Sequence, residues 1–179
     1  MKRYFLIIFS FALLLVNASA FAQDSVPKDS PERIPLELMM VYCMSSVIAG
    51  DDAAHVAEMG KLYELPAANA AAFLKGDEGR VFASPKDVSK AVLVVPENTK
   101  LGCSVLIRAL DFDTFWTIAD YWYGPESPFK VVSEKSDENS REKILKADIK
   151  GSLTLIVRAR KIAEGGQIQG QIVAARTRD

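Results

Sequence analysis

His55 is the only histidine of the chain, and it follows Asp51 and Asp52 by four and three residues, a spacing that lets a carboxylate at a helix start hold an imidazole. Any acid–base, nucleophilic or zinc chemistry that needs histidine must therefore run through this residue. The competing account is a solvated side chain one turn into a capped helix. A serine hydrolase would also need a nucleophile in a tight turn between small residues, as in the Gly-x-Ser-x-Gly elbow, and no such elbow occurs. Ser45 and Ser46 fall inside a helical pattern, and Ser104 falls inside a strand pattern. Asp113 and Asp120, weighed with Asp111 as a glycosidase-type pair, lie seven residues apart on a helix. That is ~10.5 Å along the axis, beyond the roughly 5–9.5 Å such chemistry uses, so capping and solvation explain these carboxylates better. Two cysteines and one histidine lack the paired spacing of a zinc site, and no Gly-rich phosphate loop joins a strand to a helix. No metal and no cofactor are expected.

Two sulfurs carry the firmer signal. The chain opens with Lys2-Arg3, an apolar run from Tyr4 to Val16, then Ala18-Ser19-Ala20 and Ala20-Phe21-Ala22. This is the pattern of a secretory signal peptide over residues 1–22, cut after Ala22. The alternative is an uncleaved anchor, but a membrane span needs about 20 apolar residues and this run has 13. Gln23, not Cys, follows the cut, so no lipid anchor is expected, and no later segment is apolar enough to span a bilayer. Export would place Cys43 and Cys103 in an oxidising periplasmic or secreted setting, where a structural disulfide is expected. The competing reading, a reactive thiol, needs a neighbouring cation or helix start, and neither cysteine has one in sequence.

Removing residues 1–22 takes away Lys2 and Arg3, leaving 157 residues with 20 basic against 23 acidic side chains, a formal charge of −3. Neither a nucleic-acid partner nor a general attraction to anionic lipid follows from such a balance, and no nucleic-acid partner is expected. The charge is unevenly spread: residues 141–179 carry 9 basic and 4 acidic side chains, and the stretch before them is near −8. Lys146, Lys150, Arg158 and Arg160 fall on the outer positions of alternating strands, where they either protect strand edges or form a site for an acidic partner. A second candidate surface is the aromatic cluster Trp116, Tyr121 and Tyr123, which cannot all face inward from one helix.

The elements that would position these groups read as α+β. Residues 23–35 are polar with Pro27, Pro31 and Pro35, a flexible leader, and residues 36–179 form one domain. Leu36, Met40, Cys43 and Val47 share a helical face that ends at Gly50. Asp51 or Asp52 caps a second helix whose stripe is Ala53, Val56, Met59 and Tyr63, and a third runs from Ala67 to Leu74. Strands follow over residues 80–83, 91–95 and 103–110, then a helix from Asp113 to Tyr123 with Phe112, Phe115, Ala119 and Trp122 on one stripe. Further strands close the domain: 129–133, then Leu145 to Ile149, then Leu153, Leu155, Val157 and Ala159 alternating with outward residues. After a Gly165-Gly166 turn, Ile168, Ile172 and Ala174 complete the inner face. The expected architecture packs the N-terminal helices on one face of an antiparallel sheet, with one further helix inserted between strands.

Cys43 in the first helix, Phe73-Leu74-Lys75-Gly76 with Gly79-Arg80-Val81-Phe82, Cys103-Ser104-Val105, and Gly151, Gln169 and Ala174-Ala175 together resemble a family of small exported proteins and lipoproteins of Gram-negative bacteria, of the Neisseria type. The chain departs from the lipoprotein members in lacking an acylated Cys. The resemblance implies a periplasmic or secreted place and brings no site residue. The leading functional expectation is a non-enzymatic periplasmic or secreted protein that works by protein–protein binding, an inhibitor or an immunity-type factor, with an unknown partner in the cell envelope. The alternatives are a small hydrolase centred on His55, or a binder of a small amphiphile in an apolar cavity of roughly 300 Å³ or more.

Overall fold

A computed structural model describes residues 29–97, 102–149, 151–162 and 168–177. The expected signal peptide, the first part of the leader, Lys150 and the Gly165-Gly166 turn lie outside the described residues. Residues from Pro31 onward make one compact unit.

Helix α1 begins as Arg33–Glu37, continues as a π-helical stretch Leu38–Met44 and ends as Ser45–Ala49. It starts ahead of the domain boundary read from the sequence, because Ile34 and Pro35 are already buried. Glu32 is buried as well, and its Oε1 accepts hydrogen bonds from Lys90 Nζ at 3.0 Å and from the Asp111 N–H at 3.1 Å. Helix α1 stops at Gly50, whose φ of +81° is costly for any residue with a Cβ. Asp52 then caps α2 (Ala53–Met59) by accepting from the Ala54 N–H at 2.9 Å.

The buried side of α2 is Ala53, Ala54 and Ala57, and the expected stripe fails at its far end: Met59 and Tyr63 are exposed. The helix ends at Gly60, where the Tyr42 ring lies so close that a Cβ would sit 2.2 Å from it, and Tyr63 passes into the short strand β1 (Tyr63–Glu64). Helix α3 spans Ala67–Leu74. Strands β2 (Gly79–Ala83), β3 (Ala91–Pro96) and β4 (Gly102–Ile107) follow, and Asp111 caps α4 (Phe112–Trp122). Strands β5 (Lys130–Ser136), β6 (Ser140–Asp148), β7 (Ser152–Arg160) and β8 (Gly170–Thr177) complete the chain order.

All eight strands join one antiparallel sheet in the order β1-β2-β3-β4-β8-β7-β6-β5. The fold is α+β. Alternation gives the sheet two distinct faces. On the inner face Val105, Ile107, Leu155, Val157, Ile172 and Ala174 are buried, and Cys103 reaches Cys43 of α1 in a disulfide with Cα atoms 5.8 Å apart. The first helix therefore crosses the start of β4. The outer face carries α3, whose Ala70, Phe73 and Leu74 pack with Val81, Val92, Val94 and Leu106. The sequence reading set the N-terminal helices on one face, and α3 departs from it for a physical reason. Every residue from Ala91 to Val95 is apolar and buried, so this end of the sheet needs cover on both sides. Ile168 joins the α3 cluster on the outer face and not the inner one.

Candidate functional site

Beyond α3 no element among the described residues covers the outer face over β8, β7, β6 and β5, and strand register orders its side chains into rows. One row runs Leu106, Gln171, Arg158, Glu142, Lys135, each opposite the next. Beside it runs an apolar row of Val173, Ile156 and Ile144, half-buried, between Ser104 and Ser133. A third row places Thr154, Lys146 and Lys130 opposite one another.

A trough of about 1120 Å³ follows the charged row from α3 to β5. Phe73, Leu74, Leu106 and Ile168 give it an apolar wall, and Ser104 and Gln171 give it a polar floor. Arg108, Arg158, Arg160 and Lys135 stand around it as exposed cations. Arg158 donates from Nε to Gln171 Oε1 at 3.1 Å, which fixes the guanidinium along the floor. Asp137, at the β5–β6 turn, is occupied by its own loop: it accepts from the Asn139 and Ser140 N–H groups at 2.8 and 2.7 Å and from the Ser140 hydroxyl at 2.7 Å. These bonds, the Ser140 hydroxyl first, hold its carboxyl below the ordinary 3.8.

The expected basic outer face is thus partly assembled. Arg158 and Arg160 line the trough, Lys146 is exposed on the same face but outside it, and Lys150 is not among the described residues. Arg108, Lys135 and Gln171 were not singled out by sequence. Arg108 does continue the outward positions of Ser104 and Leu106, so period two alone could have found it.

The aromatic cluster needs correction. Tyr121 is 52% exposed, but Trp116 and Tyr123 are only 3% and 5% exposed and cannot serve as contact residues. Trp116 lies edge-on to Phe115 and beneath the Arg141 guanidinium, 4.6 Å from the ring centroid. Arg141 is held there by Asp120 Oδ2 at 2.8 Å and Glu134 Oε1 at 2.7 Å, while Lys143 donates to Asp120 Oδ1 at 2.6 Å. Asp120 is therefore an ion-pair link from α4 to β6. Tyr123 turns back under the chain to meet Phe129 edge-on at 5.8 Å, and burial pushes its phenol well above the ordinary 10.

His55 sits on α2 with its side chain 65% exposed, and Nδ1 is 4.0 Å from Glu58 Oε2. Glu58 is shared with Arg80 Nη2 at 2.5 Å, which also binds Glu64. A cavity of about 560 Å³ lies between the α1–α2 junction and Arg80, lined by Ser46, Asp51 and Asp52, and His55 is not among its lining residues. Among the described residues no three His, Cys, Asp or Glu side chains come together as a metal site, and no helix is long and apolar enough to cross a membrane. Comparison of the chain with protein-family models, with curated proteins and with solved structures returns no match.

Proposed function

We propose that this chain is an exported, disulfide-braced protein of the periplasm or extracellular space that acts by protein–protein contact, as an inhibitor or immunity-type factor. The observation that carries the reading is the outer face of the sheet, uncovered among the described residues, where Arg158 and Arg160 stand exposed along a trough of about 1120 Å³. Cationic, partly apolar surface of this kind suits a macromolecular partner, because dispersed charges steer encounter while apolar wall residues supply burial. The Cys43–Cys103 bridge is compatible with an oxidising compartment. Tyr121, exposed on α4, offers a second contact.

An amphiphile ligand is favoured by one observation, the apolar wall of Phe73, Leu74 and Ile168. The hydrolase reading gains less support, since His55 is solvated and its contact is a Glu58 already shared with Arg80. The test is deletion of the gene in a competition assay combined with pull-down from the cell envelope using the full chain. Loss of fitness with recovery of one stable partner supports the reading. Recovery of no partner above background under several conditions counts against it.

A further inference from the structure

We infer that the outer-face trough is the docking site and that its occupant is an acidic polypeptide segment, an inference that rests on the protein-binding reading above. The trough is lined by Lys75, Arg108, Lys135, Arg141, Arg158 and Arg160 against only Asp77, Asp137 and Glu142. The whole chain carries a net charge of −1, so this concentration of cations runs against its average. Arg141 is taken by Asp120 and Glu134, but among the described residues no carboxylate comes within ion-pair distance of Lys75, Arg108, Lys135, Arg158 or Arg160, Arg160 feeling only the charge of Asp137 from farther off. Glu142 stands between Arg158 and Lys135 in the cross-strand row and offsets only part of that charge.

The placement of the cations decides what kind of anion fits. Arg108 follows β4, Arg158 and Arg160 belong to β7, and Lys135 belongs to β5; in the sheet order each of these strands is two places from the next. Two inter-strand spacings are ~10 Å. A single phosphate or the one headgroup of an amphiphile engages only the cations within reach of one point and leaves unused those anchored on strands ~10 Å away. A polypeptide in the polyproline II conformation, with three residues per turn and a rise of ~3.1 Å each, brings a carboxylate at every third residue to the same side at intervals of ~9 Å, which matches the row. Four spacings, ~19 Å, accept about six extended residues, and the partly buried Phe73 and Leu74 would take apolar side chains at one end.

The test places a photo-crosslinking amino acid at Ser104 on the trough floor, and separately at Tyr121 on the opposite face, in the full chain expressed in its own cells. Adducts are identified by mass spectrometry. The expected result is a polypeptide adduct at Ser104 whose crosslinked peptide is rich in Asp and Glu. Its yield should fall roughly tenfold in the Arg158→Gln/Arg160→Gln variant and stay within about twofold in Lys146→Gln. Thermal melts like wild type for each variant show that folding is intact. A lipid or glycan adduct at Ser104, a crosslinked peptide that is not acidic, or a yield unaffected by Arg158→Gln/Arg160→Gln overturns the inference. Adducts at Tyr121 alone overturn it while leaving the protein-binding reading in place, and adducts at neither position remove both.

Discussion

Replacing both bridged cysteines should show how much of this fold depends on one covalent tie. Cys43 and Cys103 are separated by 60 residues and are 0% and 4% exposed, joining α1 to the start of β4. The loop-entropy relation gives ~4 kcal/mol for closing a loop of that length. For a domain of this size each 1 kcal/mol moves Tm by about 2–4 °C, so Cys43→Ala/Cys103→Ala should melt about 8–16 °C below the oxidised protein. The assay is thermal unfolding followed by circular dichroism on the oxidised chain, the chain with reductant, and the double variant. Reduced wild type and double variant should nearly coincide, since both lose the same constraint on the unfolded chain. A reduced sample with two titratable thiols that melts within about 2 °C of the oxidised one would refute the reasoning.

Asp111→Ala removes the cap of α4, where the carboxylate accepts from the Thr114 N–H at 2.8 Å, and should cost about 1 kcal/mol in urea unfolding at neutral pH. Hydrogen bonds from Thr114 hold this carboxyl below its ordinary 3.8, so its contribution is complete above that value and is lost as pH falls through the lower folded one. The gap between wild type and variant should therefore narrow below pH 3.8 and stay constant above about pH 5; a gap that widens on acidification contradicts the cap. Gly79→Ala puts a Cβ 2.5 Å from the Val95 carbonyl oxygen and 2.9 Å from Pro96 Cα, backbone atoms that cannot move without parting β2 from β3. It should lower stability by roughly 1–3 kcal/mol in the same measurement, and a change under about 0.5 kcal/mol would show that the strands can separate there freely.

What the sequence made legible was local. The alternation of Leu153, Leu155, Val157 and Ala159 with Thr154, Ile156, Arg158 and Arg160 assigns both faces of β7, and the burial follows it. Gly50 and the Asp51-Asp52 pair, of which Asp52 is the cap, marked the α1–α2 junction through backbone freedom and capping, which need no distant partner. Of partners distant in sequence only Cys43 and Cys103, 60 residues apart, were legible, because two cysteines in a chain expected to be exported have one another to pair with; the others were not. Trp116 is covered because Arg141, 25 residues later, is pinned over it, and no helical period carries that information. Tyr123 is buried by the turn after α4, where helical spacing no longer applies. The trough draws on β4, β8, β7, β6 and β5, strands whose order in the sheet differs from their order in the chain. Arg158 and Arg160 could be read as outward cations, but what they face depends on that order.

Strand β8 is the last of the eight in chain order yet lies between β4 and β7. Until it is inserted, β1–β4 and the β5–β6–β7 meander share no strand-to-strand hydrogen bonds and remain two incomplete half-sheets. Closing the seam requires pairing Gly102–Ile107 with a segment about 70 residues downstream, a step of high loop-closure entropy that comes late. A chain assembled in this way keeps its central seam open until β8 has been made, so the two half-sheets wait on a single strand for their union.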